Sequence, residues 1–271
     1  MNKILKQKNI EQEEFVLEAK NICKDFHIRK INHNTFLSYF LNFKKIFNKK
    51  KKNILKNVSF SIKKGENFGI IGRNGSGKST LLRILADIMS PTKGEVYKQG
   101  SILYLSGFGN GFSSKLSLID NIKIYGTLMG IDVLVIEDKV SEILDFAELS
   151  DRKYDLLGEM SDGMRGRLSF SATYIFLKFL RPDILLLDEV SGGGGGDIFF
   201  QEKVEGAIDT VLKSGMTVIS VSHAMSYISK NCNRVLLLEN GEVITVGEPK
   251  DVIDVYKEIR GLKNNKLQNK E

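Results

Sequence analysis

The sequence predicts an α/β fold in which a parallel sheet supports a phosphate-binding loop. An apolar segment, Phe68–Ile71, leads through a glycine-rich turn into an apolar helical stripe at Leu81–Leu85. Later apolar segments at Ile184–Leu187 and Thr217–Val221 have the length of strands, and strands buried on both faces of a parallel sheet are apolar in this way. Polar side chains follow both later segments, at the edge where open α/β sheets bind their ligands.

Composition places the chain among globular proteins, because 271 residues with 42% hydrophobic content can build one large core. The net charge of +7 permits binding to nucleic acid or to an anionic membrane. Much of that charge lies in Lys44–Lys52 and Leu262–Lys270, which we interpret as solvated segments, with contact to lipid headgroups as the alternative. Cys23 and Cys232 are too few for a disulfide framework and suit a reducing cytosol. Without a leader or an apolar run of spanning length, we expect neither secretion nor a membrane span.

The N-terminal region predicts strands on either side of a long insert. Residues 1–14 are polar and lack periodicity, so we expect a mobile arm. Strands are expected at Phe15–Cys23, with Lys24-Asp25-Phe26 leading out of it, and at Ile54–Ile62, where apolar and polar residues alternate. Between them, aromatic residues recur among lysines over Asn32–Asn53 at nearly helical spacing, which predicts an amphipathic helix. Such a helix would pack onto the domain itself or meet a membrane or a membrane partner.

The glycine-rich turn fits the spacing G-x-x-x-x-G-K-[ST] through Gly72, Gly77, Lys78 and Ser79. Glycines let the main chain wrap an anion closely, and Lys78 would place its charge on the β- and γ-phosphates of a nucleotide. Ser79 would bind the Mg²⁺ that bridges these phosphates, and Thr80 would begin the buried face of the helix. The turn therefore predicts a nucleotide site with Mg²⁺.

Further elements follow in order along the chain. Short strands are expected at Glu95–Tyr97 and Ile102–Leu105, the second of which ends in a glycine-rich loop, Ser106–Phe112. Helical periodicity runs from about Ser117 to Leu149 with a break near Gly130, and it predicts a smaller α-helical lobe.

The next helix is expected over Met164–Leu180, with Ser161 placed to cap it. Beyond it, Ile184–Leu187 ends at Asp188 and Glu189. Two adjacent acids at the end of a buried strand repel each other without a cation, which again indicates Mg²⁺.

The C-terminal part completes the pattern. The segment Thr217–Val221 ends at His223, and a single histidine is on its own more often structural. Val235–Leu238 and Val243–Val246, joined through Asn240-Gly241, predict a hairpin. The last helix is expected over about Glu248–Ile259.

Four of these segments, taken together, resemble the motifs of the ATP-binding cassette (ABC) ATPases, and the resemblance extends over Phe15–Ile259. They are GRNGSGKST at Gly72–Thr80, MSDGMRGR at Met160–Arg167, ILLLDEV at Ile184–Val190 and VSHAM at Val221–Met225. The resemblance implies a P-loop NTPase cassette of the α/β class, with a RecA-like mixed sheet core, an antiparallel β subdomain and an α-helical lobe. It implies one ABC ATPase domain over residues 15–260, with a helical lobe at about 113–180, an insert at 31–53 and a basic tail at 261–271.

The resemblance also implies a role for each motif residue. Phe26 matches the aromatic residue that stacks on adenine, its alternative being a core aromatic at a strand end. Asp188 would hold Mg²⁺ through water, Glu189 would act as general base, and His223 would contact the γ-phosphate. In a head-to-tail homodimer, Ser161, Gly163 and Met164 of one chain would cover the ATP on the other chain's loop. The residues expected to contact the nucleotide within the loop are Gly72, Asn74, Gly75, Ser76, Gly77, Lys78, Ser79 and Thr80.

Within the family, the sequence motifs most resemble those of ATPases that export bacterial surface polysaccharide: capsule, O-antigen or teichoic acid. The S-x-G-M signature, the loop at Gly107–Phe112, the insert and the C-terminal ending resemble that subgroup. This implies a peripheral subunit at the cytoplasmic face of the inner membrane, with an integral membrane permease as partner and a polysaccharide passing through the permease. Two alternatives stay open: the ATPase of another ABC transporter class, or a soluble ABC protein acting on nucleic acid or ribosomes. No nucleic acid is expected, because the lysine-rich runs lack interleaved stacking aromatics outside the insert.

The chain departs from the family pattern in three places. Ser106–Phe108 offers no glutamine for the Mg²⁺ site. Asp162 places a carboxylate in the signature, which disfavours a nearby phosphate unless Arg165 or Arg167 offsets it. Five consecutive glycines, Gly192–Gly196, stand where relatives have a mixed loop, and ordering them carries an extra entropic cost.

Overall fold

The computed structural model describes residues 15–28, 50–189 and 198–268. The predicted arm, residues 29–49, which include residues 31–49 of the predicted insert, and the glycine run Gly192–Gly196 lie outside the described residues. So do residues 190–191, residue 197 and residues 269–271.

Two sheets form the framework. The six-stranded sheet has the order β5-β6-β7-β3-β8-β9, in which β3 and β5–β8 are parallel and β9 pairs antiparallel with β8. The second sheet is antiparallel, with the order β2-β1-β4. The strands are β1 Phe15–Ile28, β2 Lys50–Lys63, β3 Asn67–Ile71, β4 Lys93–Lys98, β5 Ile102–Leu105, β6 Ile184–Asp188, β7 Thr217–Val221, β8 Arg234–Glu239 and β9 Glu242–Gly247.

Seven α-helices accompany the sheets within the described ranges. They are α1 Lys78–Leu85, α2 Leu118–Leu128, α3 Val133–Ala147, α4 Asp162–Leu180, α5 Ile198–Leu212, α6 Met225–Asn231 and α7 Pro249–Gln268. Across residues 15–28, 50–189 and 198–268, no helix combines the length and the apolar character that crossing a bilayer requires.

The main core lies between the two sheets and encloses α1. Its apolar side chains come from β1, β2, β3, β6, β7 and β8 and from the inner face of α1. Phe60 of β2 stacks on Phe68 of β3, with ring centroids 5.6 Å apart. This contact fixes the antiparallel sheet over the strand that leads into the glycine-rich turn.

A second core belongs to the helical lobe. Helices α2, α3 and α4 bury Ile122, Ile143 and Phe176 against one another. Ser117 caps α2 by accepting a hydrogen bond from the Asp120 N–H, and Asp132 caps α3 in the same way through Leu134. The predicted break near Gly130 is therefore a turn between two capped helices.

The structure confirms the predicted fold class and most predicted elements, but several boundaries were wrong. Lys50–Asn53, predicted as the end of the amphipathic helix, is in strand β2. Lys24-Asp25-Phe26 continues β1, because these residues pair with β2 as far as Ile28. Thr80 is half-buried, so the apolar face of α1 begins at Leu81. The last helix continues to Gln268, beyond its predicted end and into the predicted tail.

Phe68 offers a test of the main core. It is fully buried, and the Arg234 guanidinium lies 5.5 Å from its ring centroid. We expect Phe68→Ala to lower the free energy of unfolding by about 3–5 kcal/mol, because the cavity would open where the two sheets meet. Urea unfolding measures this loss, provided that the slope of the free energy of unfolding against urea concentration is the same in the variant and the parent.

Phe199→Ala is the matched control, because this ring on α5 is exposed to solvent. We expect it to change the free energy of unfolding by less than about 0.5 kcal/mol. Similar losses for the two variants would contradict the account of the core.

Candidate nucleotide-binding site

The glycine-rich turn connects β3 to α1 and depends on glycine where the backbone is crowded. A Cβ on Gly72 would lie 2.0 Å from the Leu238 carbonyl oxygen, and one on Gly77 would lie 2.8 Å from Leu55 Cδ2. Gly77 is the N-cap of α1 with a φ of 111°, in the region that favours glycine. Asn74 and Gly75 are exposed at the tip of the turn. The backbone can therefore pass β8 closely and still open toward an anion.

Lys78 folds back over the turn. Its Nζ donates to the carbonyl oxygens of Gly72 and Arg73, both at 3.0 Å. The side chain is only 5% exposed, and this burial lowers the pKa of its ammonium group, while the charges of Glu189 and Asp188 act in the opposite direction. The Lys78 ammonium group is thus held against the backbone of the turn.

Asp188 ends β6 and receives a hydroxyl on each of its carboxylate oxygens. Ser79 Oγ donates to Oδ1 at 3.0 Å, and the Tyr104 hydroxyl donates to Oδ2 at 2.9 Å. Asp188 is 7% exposed. Burial, followed by the hydrogen bond to Asp188, raises the pKa of Tyr104, so the phenol is a donor at neutral pH. Tyr104 was not predicted as a site residue, because the sequence alone does not show that its strand lies next to β6.

Glu189 and His223 lie side by side at the ends of the neighbouring strands β6 and β7. Glu189 has a left-handed backbone with a φ of 56°, and its N–H donates to the Val221 carbonyl oxygen at 3.0 Å. Its Oε1 lies 3.1 Å from His223 Nε2, and both side chains are open to solvent. The Glu189 carboxylate is exposed at this edge of the sheet and is near enough to the turn for its charge to act on Lys78.

These residues fit a Mg²⁺–nucleotide complex. The Ser76 hydroxyl is buried and has no hydrogen-bond partner within the described residues. A buried polar atom without a partner is costly unless a ligand satisfies it, and this one lies inside the turn expected to hold phosphate. Ser79 and Asp188 supply hydroxyl and carboxylate oxygens, which Mg²⁺ prefers as ligands.

Phe26 lies on the extended end of β1, away from these residues in sequence. Its ring is 37% exposed and has Lys24 Nζ 5.4 Å from its centroid. This exposure does not fit the alternative of a core aromatic. Stacking on adenine stays a prediction.

The predicted signature segment starts helix α4. Ser161 is its N-cap, and its Oγ accepts a hydrogen bond from the Met164 N–H at 3.2 Å. The Asp162 side chain is exposed and accepts a hydrogen bond from Arg165 Nη1 at 3.1 Å. Gly163 and Met164 are partly exposed in the first turn. The role of this segment at a second chain's nucleotide stays a prediction.

The two arginines of the signature segment have different partners. Arg167 pairs with Glu148 at the end of α3, whereas Arg165 also donates to the carbonyl oxygens of Leu157 and Gly158. Arg165 is therefore the arginine placed to offset the charge of Asp162.

The loop after β5 packs against the helical lobe. Phe108 lies edge-on to Phe170 of α4, with ring centroids 5.2 Å apart. A Cβ on Gly109 would meet Ser169 Oγ at 2.4 Å. The loop that lacks the family's glutamine therefore contacts the signature helix through an aromatic ring.

Known proteins resemble this chain in sequence and in fold. The family described as ABC transporter matches residues 55–192. The chain is 37% identical over 204 residues to the O-antigen export system ATP-binding protein RfbB of Klebsiella pneumoniae. The aligned region covers 75% of this chain and 80% of that relative. It is 35% identical over 204 residues to the teichoic acids export ATP-binding protein TagH of Bacillus anthracis. The aligned region covers 75% of this chain and 36% of that protein.

Solved structures share the architecture. A dimeric ATP-binding cassette in a post-hydrolysis state, bound to ADP and Pi, superimposes with a TM-score of 0.63 at 22% identity. The match covers 86% of this chain and 98% of that one. At this identity the likeness shows the fold, and it confirms the predicted cassette architecture.

Gly72 tests whether the turn needs its close approach to β8. We expect Gly72→Ala to lower the free energy of unfolding by about 1–3 kcal/mol, because its methyl group would overlap a backbone carbonyl and the chain would have to shift. Thermal or urea unfolding measures the loss.

Gly206→Ala is the matched control, because it lies in α5 with open space around the position of a Cβ. This variant should be neutral or more stable by up to about 1 kcal/mol. Equal stability of the Gly72 variant and the parent protein would contradict the close approach of the turn to the Leu238 carbonyl oxygen.

Proposed function

Because the chain belongs to the ABC transporter family, we propose that it is the ATP-hydrolysing subunit of an exporter that moves a cell-surface polysaccharide across the cytoplasmic membrane. The observation that carries the proposal is the convergence of five side chains at one edge of the parallel sheet. They are Lys78, Ser79, Asp188, Glu189 and His223, joined in pairs by hydrogen bonds or by their shared turn.

The phosphate-binding step follows from the turn. Backbone N–H groups around Gly75 and the N-terminus of α1 would face the phosphates, and Lys78 would exchange its two carbonyl partners for phosphate oxygens. Ser76 would gain the partner that its buried hydroxyl lacks. Ser79 and Asp188 would hold Mg²⁺, which supplies positive charge to the phosphate oxygens when bound.

The hydrolytic step assigns roles to the exposed pair. Glu189 would accept a proton from the attacking water as general base, a role worth about 10²–10⁴-fold in rate. The His223 ring lies against Glu189 Oε1 in this structure. It would hold that carboxylate in place before the nucleotide binds and donate its ring N–H to the γ-phosphate in the ATP complex.

A second copy of the chain would complete the site. Ser161, Gly163 and Met164 stand at the start of α4, whose 19 residues direct the positive end of the helix dipole outward. In a head-to-tail homodimer this helix end would cover the ATP on the partner's turn. Binding of ATP would then join the two copies, and hydrolysis would release them.

The cargo is proposed from the relatives. Their names describe export of O-antigen and of teichoic acids, both of which are surface polymers. We propose an integral membrane permease as partner and a peripheral position at the cytoplasmic face of the inner membrane. Residues 15–260 would act as one ATPase domain in this assembly.

Lys78→Ala tests the nucleotide assignment. We expect phosphate release from ATP to fall by about 10²-fold or more, because no other buried cation lies in the turn to offset the phosphate charge within the described residues. Lys213→Ala is the control, since this lysine, which directly follows the end of α5, is exposed and pairs with Asp209 of that helix. Parent-like turnover in the Lys78 variant would remove the assignment.

Glu189→Gln tests the roles in hydrolysis and dimerisation. We expect turnover to fall by about 10²–10⁴-fold, since the amide cannot accept the proton, while ATP still binds. A dimer should therefore accumulate with ATP in gel filtration, and Glu258→Gln, an exposed carboxylate of α7, should behave like the parent. A Glu189 variant that stays monomeric with saturating ATP would contradict the two-copy mechanism.

A further inference from the structure

The Tyr104 hydroxyl joins two neighbouring strands at the metal-binding carboxylate. Tyr104 of β5 pairs with Leu186 of β6 in parallel register. Asp188 follows Leu186 by two residues, and side chains two apart on a strand point to the same face of the sheet. The Tyr104 ring therefore runs along that face and reaches Asp188 Oδ2 at 2.9 Å.

Packing holds this ring in place. Tyr104 lies against the core cluster that contains Leu186 and the inner face of α1. A hydroxyl on a packed ring has little freedom, so its position is set by the core and not by the carboxylate that accepts from it.

The two hydroxyls fix the orientation of the carboxylate. The terminal torsion of an aspartate is broad, so a single hydrogen bond leaves the carboxylate plane free to turn. Ser79 holds Oδ1 from α1, and Tyr104 holds Oδ2 from β5. Because a hydroxyl that donates its proton keeps its oxygen lone pairs, Ser79 can bind Asp188 and still offer its oxygen to a cation.

The loop that follows β5 brings no glutamine to this site, and the side-chain amide of Asn110 in this loop donates to Ser106 Oγ at 3.0 Å instead. Ser106–Phe108 contains no glutamine, and Phe108 is directed into contact with Phe170 of the helical lobe. The polar group that β5 brings to the site is therefore the phenol two residues before the loop.

We propose that Tyr104 is a positioning residue that holds the Asp188 carboxylate for Mg²⁺ and thereby sets the part of the nucleotide affinity that depends on the metal. The inference rests on the proposed function, since it assumes that the turn binds ATP. It concerns this chain's own hydrogen bond and assigns Tyr104 no direct contact with the reacting atoms.

Tyr104→Phe is the direct test, because it removes only the hydroxyl and keeps the packed ring. Binding of a fluorescent ATP analogue is measured in EDTA and again with saturating Mg²⁺. In the parent, Mg²⁺ should tighten binding. The gain from Mg²⁺ is the dissociation constant in EDTA divided by that in Mg²⁺. In the variant, we expect this ratio to fall by about tenfold, since hydrogen bonds to charged groups contribute on that scale. The affinity in EDTA should stay unchanged.

Tyr97→Phe is the matched control. It is the same chemical change on an exposed ring of the antiparallel sheet, and the gain from Mg²⁺ should equal that of the parent. Thermal unfolding without nucleotide should give the same midpoint for the parent and the control. A midpoint near theirs for Tyr104→Phe would show that the ring still packs.

A double-mutant cycle with Asp188→Asn shows whether Tyr104 acts through Asp188. When Tyr104→Phe is added to a chain that already carries Asp188→Asn, it should cause no further loss of the gain from Mg²⁺. An additional loss in the double variant would overturn the proposed route.

Two other outcomes would also overturn the inference: an unchanged gain from Mg²⁺ in Tyr104→Phe, or an equal loss of affinity in EDTA and in Mg²⁺. The second of these would indicate a packing role alone. A parent protein that binds no ATP under either condition would instead refute the proposed function, so the two failures can be told apart.

Discussion

The hydrogen bond between Ser79 and Asp188 is the interaction on which the site depends. The two residues are 109 positions apart in sequence, and each stands at the end of an element that is fixed by burial. Asp188 ends a strand paired on both sides, with β5 and with β7. Ser79 lies in the first turn of a helix enclosed between the two sheets. Asp188 is 7% exposed and Ser79 is half-buried, so the packing of the core brings the carboxylate and the turn together.

The sequence predicted those features whose residues lie within a few positions of one another, and it did not predict those that depend on contacts between distant residues. The turn at Gly72–Ser79 and the strand ending at Asp188 were found because their residue types and spacing carry the chemistry within a few positions. Tyr104 was missed because its partner is distant in sequence, and only the parallel register of β5 and β6 brings them together. Lys50–Asn53 was misassigned because strand pairing with β1 overrides a stripe of nearly helical spacing.

The helical lobe is tied to the sheet edge by aromatic and charged contacts. Phe170 of α4 contacts Phe108 from the loop after β5 and Phe200 of α5. Glu148 bridges Arg167 of α4 and Lys203 of α5. The loop after β5, the signature helix and α5 therefore share one cluster, and α5 follows β6, the strand that ends at Asp188. A displacement of any one of these elements requires the others to repack, because their rings interlock.

The charge at the start of α4 bears on how two copies could meet. Asp162 in the first turn stabilises its own helix, since an acid there complements the dipole, but it also opposes an approaching phosphate. Arg165 counters it from a position fixed by the carbonyl oxygens of Leu157 and Gly158. An exposed ion pair such as Arg165–Asp162 contributes about 1 kcal/mol or less, so in the proposed homodimer Arg165 Nη1 would exchange that contact for a phosphate oxygen at small cost. In the proposed homodimer, the acid in the signature would therefore be compatible with nucleotide binding as long as this arginine is present.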